Sequence, residues 1–221
     1  MERPNLVVLG AGGFAREVWS LLTEESLLAE NVTALGLVSP EEPARNSTVS
    51  ISAPWVGNDE SFLAQPKASF YVVAIADPVT RMRVAARYDA AGLHPLTLVH
   101  PTASVGSTVK LGSGCIIGAM ASLSANVRVG NHVHIDRVAT VGHDSVIQDF
   151  VTVHPASVIA GGVHVASGAV IGSNASILQG RRVGAGAVVG AGAVVTHDVH
   201  EEVTVAGVPA RRMKAKKDTD L

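Results

Sequence analysis

The sequence predicts two domains in one chain: a small α/β domain of Rossmann type, followed by an all-β parallel β-helix. Two observations support this expectation. Short apolar strands alternate with amphipathic helices over about the first hundred residues, and a strict six-residue repeat of aliphatic side chains follows them. The repeat register already includes Val99, so we expect the domains to span residues 1–98 and 99–221.

The six-residue repeat is the stronger of the two signals. Between Val105 and Val195 every sixth residue is Leu, Ile or Val, at sixteen of sixteen positions and without an insertion. The residue two places earlier is small or β-branched at every repeat except Arg181. A period of six fits neither a helix nor an array of hairpins, and it is typical of a parallel β-helix. We expect about five stacked coils of about 18 residues, with the aliphatic residues inside and glycine or asparagine at the corners.

The first domain is predicted to be a small parallel sheet with helices between its strands. The predicted strands span residues 5–9, 32–38, 69–76 and 95–99, with a loop at 39–56. One helix begins in a glycine-rich turn and places Phe14, Val18, Leu21 and Leu22 on one face, and a second covers residues 80–91.

Composition excludes several classes of protein. The chain has 221 residues, a net charge of −2 and 16% charged residues, so it lacks the excess of basic residues typical of nucleic-acid-binding proteins. Its single cysteine, Cys115, lies in the inward register, which predicts an inert core thiol and excludes a disulfide within the chain. Neither a signal-peptide layout nor an apolar run long enough to span a membrane occurs, so we expect a cytoplasmic protein.

The glycine-rich turn after the first strand is a candidate phosphate site. Gly10, Gly12 and Ala15 match the G-x-G-x-x-G/A pattern, whose glycines let backbone amides approach a diphosphate at a helix N-terminus. A dinucleotide site also requires an acid after the second strand, where Ser39 and Pro40 stand instead. The pattern therefore favours a nucleotide diphosphate group over a dinucleotide, and a ligand-free tight turn remains the alternative.

A second candidate is the pair His143 and Asp144 at a corner of the predicted β-helix. A histidine can remove a proton from an amine or hydroxyl, and an adjacent carboxylate can hold its other ring nitrogen. An exposed pair with no catalytic role is the alternative on spacing alone. A zinc site would need ligands one coil apart, but the residues 18 positions after His132, His134 and His143 are Phe150, Thr152 and Gly161. We therefore expect no metal.

Four segments together resemble the left-handed β-helix acetyltransferases that modify sugars, both sugar-nucleotide N-acetyltransferases and sialic-acid-type O-acetyltransferases. They are residues 9–17 (LGAGGFARE), 98–101 (LVHP), 141–144 (VGHD) and 205–211 (VAGVPAR), spread over nearly the whole chain. The resemblance implies a left-handed coil and a homotrimer with active sites between adjacent β-helices. It also implies that acetyl-CoA lies in the groove and that a nucleotide-linked amino sugar, of 4-amino-4,6-dideoxy type, is held by the first domain.

The resemblance also assigns roles to individual residues. His143 becomes the general base, with Asp144 tuning it, and the acetyl group passes directly from acetyl-CoA to the acceptor. The nucleotide sugar is expected at Gly10, Gly12, Gly13, Phe14, Asp77, Arg81, Asp136 and His154, and acetyl-CoA at Thr152, Gly161, Ser173 and Ala191. Transfer to a sugar hydroxyl remains the competing activity, and a purely structural β-helix would leave the glycine turn and the histidine–aspartate pair without a purpose.

Three positions depart from the family pattern. Relatives often carry an acidic pair after the second strand, where this chain has Ser39 and Pro40 followed by two glutamates. Many have Asn at the position of Asp136 and His at the position of Thr152. Asp136 and His154 are 18 residues apart and therefore predicted on adjacent coils, where they either share the substrate pocket or form a solvated pair.

Overall fold

The computed structural model describes residues 3–23, 32–43 and 53–213. Within these residues, the first domain contains a four-stranded parallel sheet in the order β2-β1-β3-β4 with three helices. Its elements are β1 (Asn5–Leu9), α1 (Gly13–Thr23), β2 (Thr33–Val38), α2 (Asp59–Ala64), β3 (Phe70–Val73), α3 (Pro78–Ala90) and β4 (His94–Pro95). The predicted small parallel α/β domain is confirmed.

The sheet is covered on both faces because its strands bury side chains in both directions. Leu6 and Val8 of β1 pack in one apolar cluster with Val18 of α1. Val7 and Leu9 point the other way and pack with Tyr88 of α3. Helix α1 and helix α3 therefore lie on opposite sides of the sheet, and the carboxyl end of β1 opens between them.

Two elements differ from the sequence prediction. Helix α2 was not predicted, although Asn58 caps it by accepting a hydrogen bond from the Ser61 backbone N–H at 2.9 Å. The predicted strand at 95–99 is two strands: His94–Pro95 completes the first sheet, and Leu98–Val99 opens the β-helix. The chain leaves one sheet for the other at Leu96 and Thr97, and the Thr97 hydroxyl donates to the Gly112 carbonyl of the first coil.

The β-helix is made of short strands, most of them two residues long. They are β5 (Leu98–Val99), β6 (Ser104–Val105), β7 (Lys110–Leu111), β8 (Ile116–Ile117), β9 (Ser122–Leu123), β10 (Arg128–Val129), β11 (His134–Ile135), β12 (Thr140–Val141), β13 (Val146–Ile147), β14 (Thr152–Val153), β15 (Val158–Ile159), β16 (His164–Val165), β17 (Val170–Ile171), β18 (Ser176–Ile177), β19 (Arg182–Val183), β20 (Val188–Val189), β21 (Val194–Val195), β22 (Thr204–Ala206) and β23 (Arg211–Arg212). Every third strand stacks in parallel, which gives three faces, and an antiparallel strand, β23, closes the stack.

We number the faces in chain order. The first face carries β5, β8, β11, β14, β17, β20 and β22. The second face carries β6, β9, β12, β15, β18 and β21, and the third carries β7, β10, β13, β16 and β19. The first edge joins the first and second faces (residues 100–103, 118–121, 136–139, 154–157, 172–175 and 190–193). The second edge joins the second and third faces (106–109, 124–127, 142–145, 160–163 and 178–181). The third edge returns to the first face (112–115, 130–133, 148–151, 166–169 and 184–187).

The repeat residues fill the interior as predicted. One continuous cluster of buried aliphatic side chains runs from Cys115 to Val205. The stack is longer than the five coils estimated from residues 105–199, because it begins at Leu98 and continues to β22. Left-handed corner residues also include types other than glycine and asparagine, such as His132 and Phe150, whose rings stack with centroids 5.0 Å apart. Contacts between coils stabilise these corners.

The two domains are joined through the buried side chain of Arg81, which is 0% exposed. Its Nη1 donates to the carbonyls of Ile75 (2.8 Å) and Ala76 (2.9 Å) in the first domain. Its Nε and Nη2 donate to the carbonyls of His132 (2.9 Å) and Phe150 (2.6 Å) on the third edge. The first domain is thereby fixed against the first face and third edge of the β-helix.

Candidate active site

A pocket of about 730 Å³ opens at the carboxyl ends of the first domain's strands. It lies where a ligand is expected in an open parallel sheet, between the turns that follow adjacent strands. Its lining includes Gly10, Gly12, Gly13 and Phe14 from the turn after β1, together with Ser39 and Glu41 after β2 and Ala76, Thr80 and Arg83 at the start of α3. The four predicted nucleotide residues therefore line one cavity.

The glycine turn is shaped to bring backbone amides to this pocket. Gly10 has a φ of +118°, and a Cβ there would lie 3.0 Å from the carbonyl oxygen of Ala74. A Cβ at Gly12 would meet nothing within 4 Å, so the backbone is open to the cavity at this point. Helix α1 begins at Gly13, and its first amide groups have no partner within the helix. The turn can therefore bind a phosphate group by backbone N–H donors and the helix dipole.

The side chains of α3 that line the pocket differ from the predicted one. Arg81 faces the core with Ala85 and Tyr88, whereas Thr80 and Arg83 line the cavity. The signal was available, because Arg81, Ala85 and Tyr88 fall at i, i+4 and i+7, the buried stripe of an amphipathic helix.

Two of the predicted contacts, Arg81 and Thr152, are buried between the domains, and a third, Asp77, caps a helix. Arg81 is fully enclosed, and all three of its guanidinium nitrogens donate hydrogen bonds within the protein, so its prediction as a substrate contact is wrong. Thr152 is also buried; its hydroxyl donates to the Ala76 carbonyl at 2.8 Å and accepts from Arg81 at 2.9 Å. The prediction that it contacts acetyl-CoA is wrong for the same reason. Asp77 caps α3 by accepting from the Thr80 backbone N–H at 2.7 Å, and this bond lowers the pKa of its carboxyl.

A second, smaller cavity of about 250 Å³ lies between α1 and the first edge. Phe14 lines both cavities, so they meet at its ring. Asp136 lines the second cavity beside Arg137, which forms an ion pair with Glu17 of α1. His154 lies on the next coil, and its backbone N–H donates to the Ile171 carbonyl. Asp136 thus lines the cavity that meets the nucleotide-type pocket at Phe14.

His143 and Asp144 lie on the second edge, and their side chains are 59% and 58% exposed. The histidine Nδ1 is 2.8 Å from Asp144 Oδ2. With Nδ1–H donating to the carboxylate, Nε2 carries the free lone pair, which is the arrangement of a general base. The bond to His143, followed by a bond from Asn126, lowers the pKa of the Asp144 carboxyl, which therefore stays ionised at neutral pH.

Gly161 holds the imidazole ring from the adjacent coil. A Cβ at this position would lie 2.6 Å from His143 Nε2 and 2.7 Å from Cε1. No left-handed φ is required at Gly161, so the contact with the ring, and not backbone strain, requires glycine.

Replacing Gly161 with alanine is therefore expected to displace the ring without unfolding the protein. We expect a fall in kcat of about tenfold to a hundredfold, since small misplacements of a reacting group have effects of this size. Gly168→Ala is the control: it introduces left-handed strain of about 1–2 kcal/mol on the third edge and leaves turnover unchanged. Steady-state kinetics and thermal unfolding distinguish the two, and an unchanged kcat in Gly161→Ala would contradict this account of the ring.

The remaining candidate residues fall on two different edges. Ser173 and Ala191 lie on the first edge, in line with Asp136 and His154, whereas Gly161 lies with His143 on the second edge. Contacts of the first domain involve the first face and its two flanking edges: Phe14 with His134, Glu17 with Arg137, and Arg81 with His132. The pocket and the histidine of a single chain are therefore on opposite sides of the prism.

The described residues support neither a cysteine nucleophile nor a metal site. Burial raises the pKa of the Cys115 thiol to about 11, so it is not a nucleophile at neutral pH. Across residues 3–23, 32–43 and 53–213, no group of three or more His, Cys, Asp or Glu side chains is arranged to hold a metal ion. None of the helices in the described part of the chain has the length and apolar character needed to span a membrane.

Comparison with known proteins assigns the chain to a class. A family model described as the PglD N-terminal domain matches residues 5–88. A histidine-to-asparagine variant of perosamine N-acetyltransferase from Caulobacter crescentus, in complex with CoA and GDP-perosamine, is 30% identical, with a TM-score of 0.85 over 96% of this chain and 97% of that chain. The acetyltransferase domain of PglB from Neisseria gonorrhoeae FA1090, in complex with acetyl coenzyme A, is 27% identical, with a TM-score of 0.85 over 96% and 100%. WeeI from Acinetobacter baumannii AYE is 29% identical, with a TM-score of 0.82 over 94% and 99%.

A comparison with curated proteins gave no match. The structural matches cover both domains and define the chain as an acyltransferase built on a left-handed β-helix. More narrowly, the chain belongs to the left-handed β-helix sugar acetyltransferases, because its 30% identity extends over nearly the full length of the Caulobacter enzyme. The predicted fold class, hand and enzyme class are confirmed.

Proposed function

We propose that this protein transfers the acetyl group of acetyl-CoA to the amino group of a nucleotide-linked amino sugar of the 4-amino-4,6-dideoxy type. The pair formed by His143 and Asp144, with Nε2 left free at an open edge, is the observation that carries the proposal. The pocket at the glycine turn supports an acceptor sugar that is linked to a nucleotide diphosphate, which the turn would bind. The relatives crystallised with GDP-perosamine and with acetyl coenzyme A support the same pair of substrates.

The reaction proceeds by direct transfer in this proposal. The neutral amine attacks the thioester carbonyl carbon while His143 Nε2 takes a proton from the nitrogen. The tetrahedral intermediate then collapses, the C–S bond breaks, and the CoA thiolate leaves with a proton returned from the imidazolium. Asp144 stabilises that imidazolium through Nδ1–H, and both substrates held in one groove supply much of the rate. Cys115 takes no part because it is buried inside the coil.

We further propose that the active site is shared between two chains of a homotrimer. Acetyl-CoA would lie between Gly161 on the second edge of one chain and Ser173 and Ala191 on the first edge of its neighbour. The opposite positions of the pocket and His143 within one chain support this arrangement. The neighbour's first domain would bind the nucleotide, and the sugar would extend from it toward His143 along the neighbour's Phe14 and Asp136. The neighbour's His154 would lie next to Asp136.

Mixed trimers test the shared site. His143→Ala removes the base, and Gly12→Asp places a carboxylate in open space at the pocket, where it repels the diphosphate. Each variant alone is expected to be inactive. Co-assembly of equal amounts should restore about one quarter of the activity per site, since about that share of interfaces pairs an intact pocket with an intact histidine. Differently tagged chains confirm that mixed trimers form, and mixed trimers without activity would contradict a shared site.

The proposed activity is tested by thiol release from acetyl-CoA. GDP-, UDP- and dTDP-linked 4-amino sugars are offered to the protein beside the corresponding 4-hydroxy sugars. We expect turnover with one of the 4-amino sugars and background release with the hydroxy compounds. Turnover with a hydroxyl acceptor only would assign O-acetylation instead, and release with no acceptor in either set would reject the proposed substrate class.

A further inference from the structure

We propose that Asn126 is a positioning residue that fixes the Asp144 carboxylate for its bond to His143. The inference rests on the proposed function, since it concerns how the base of that reaction is held. Asn126 Nδ2 donates to Asp144 Oδ1 at 3.0 Å, and the other carboxylate oxygen, Oδ2, is 2.8 Å from His143 Nδ1. One carboxylate therefore bridges an amide and an imidazole, and each of its oxygens has a separate partner.

An exposed carboxylate needs such a second contact. The Asp144 side chain is 58% exposed, so solvent competes for both oxygens and the side chain can rotate about its torsions. A single bond to the ring would leave that rotation free. The amide on the other oxygen restricts the carboxylate to the plane in which it meets Nδ1, and so holds the tautomer that leaves Nε2 free.

The backbone fixes Asn126 in turn. Asn126 and Asp144 are 18 residues apart, at equivalent corners of adjacent coils on the second edge, with φ values of 60° and 59°. The Asn126 N–H donates to the Thr108 hydroxyl at 2.8 Å, and the Asp144 N–H donates to the Ala125 carbonyl at 3.0 Å. Asparagine and aspartate tolerate the left-handed conformation better than most residues, so this corner accepts both side chains. The bond from Asn126 also contributes to the lowered pKa of Asp144.

Two substitutions separate the side chain from the corner. Asn126→Gly keeps a residue suited to a positive φ and removes the amide. We expect it to fold with unchanged or higher stability and to lower kcat about tenfold, the effect of losing one charge-assisted hydrogen bond, with little change in KM. Asn126→Asp keeps the shape and adds a negative charge beside Asp144. A carboxylate at this position cannot donate to Asp144, so this variant should lower kcat as Asn126→Gly does.

A double-mutant cycle shows whether Asn126 acts through Asp144. In an Asp144→Ala background, Asn126→Gly is expected to cause no further loss, because the group it positions is gone. Losses that multiply in the double variant would overturn the proposal. Asn174→Gly is the matched control: Asn174 has a φ of 58° on the first edge, and its replacement should leave the tautomer of His143 unchanged.

Nitrogen-15 nuclear magnetic resonance of the histidine ring reports which ring nitrogen carries the proton and needs no substrate, with the His143 signal assigned from His143→Ala. Loss of the Nδ1–H tautomer in Asn126→Gly, absent in Asn174→Gly, supports the proposal. An unchanged tautomer in Asn126→Gly overturns it. The two ideas fail separately. A wild-type protein without acetyl transfer rejects the proposed function, whereas an active wild type with unaffected Asn126 variants rejects only the positioning role.

Discussion

Replacing His143 with alanine is expected to lower kcat by about 10²–10⁴-fold, the usual contribution of a general base. Among the described residues, neither Asp144 nor Cys115 can take over the role of the base. Asp144 is adjacent, but its lowered pKa makes it a weak base, and Cys115 is enclosed in the core. Binding of the nucleotide sugar should change little, because the pocket proposed for its nucleotide is lined by first-domain residues and not by His143.

The measurement is steady-state turnover of wild type and His143→Ala as a function of pH. Wild-type activity is expected to fall at low pH, where the imidazole becomes protonated and cannot accept a proton, and the variant should lose that limb. Added imidazole should restore part of the activity to the variant. An unchanged kcat in a correctly folded His143→Ala protein would contradict the mechanism while leaving the fold unaffected.

Replacing Arg81 with methionine is expected to have the largest effect on stability, about 3–5 kcal/mol. Burial lowers the pKa of Arg81 to about 10, an effect that the nearby Asp77 carboxylate partly offsets, so the group is charged at neutral pH. Backbone carbonyls of both domains and the Thr152 hydroxyl accept its hydrogen bonds. Methionine fills similar volume but leaves the Ile75 and Phe150 carbonyl oxygens without the donor that Arg81 supplies.

Denaturant unfolding with separate probes for the two domains measures this effect. Loss of Arg81 should uncouple the first domain, which then unfolds before the β-helix, and it should raise KM for the nucleotide sugar because Ala76 lines the pocket. Arg87→Met on the same helix is the control. Its exposed ion pair with Asp59 is expected to contribute less than about 1 kcal/mol. Equal effects of the two replacements would contradict the role assigned to Arg81.

The β-helix was predictable from sequence because its signal is local and repeated. Each hexapeptide places its aliphatic residue inside, so a run such as Val129, Ile135 and Val141 fixes the register of every coil. The same arithmetic gives the edges: residues 18 apart share an edge, as Asp136 and His154 do, whereas Asp136 and His143 are one edge apart. The separation of the candidate residues onto two edges could therefore have been derived from sequence spacing.

The junction between the domains could not be predicted in this way. Arg81 and Thr152 are 71 residues apart, and their contact depends on how the first domain docks on the first face. Family resemblance placed both in ligand sites, although the buried stripe of α3 indicated that Arg81 faces inward. Helix α2 was missed because it buries only Phe62, so its apolar periodicity is weak and only its Asn58 cap marked it.

The most direct test of the proposed function is the identity of the bond formed. The protein is incubated with acetyl-CoA labelled with carbon-13 at the carbonyl and a GDP-linked 4-amino sugar labelled with nitrogen-15. The proposal predicts a product whose carbonyl carbon shows a one-bond coupling to the sugar nitrogen, formed by wild type and not by His143→Ala. A product whose labelled carbonyl lacks that coupling, or whose formation does not depend on His143, would contradict it.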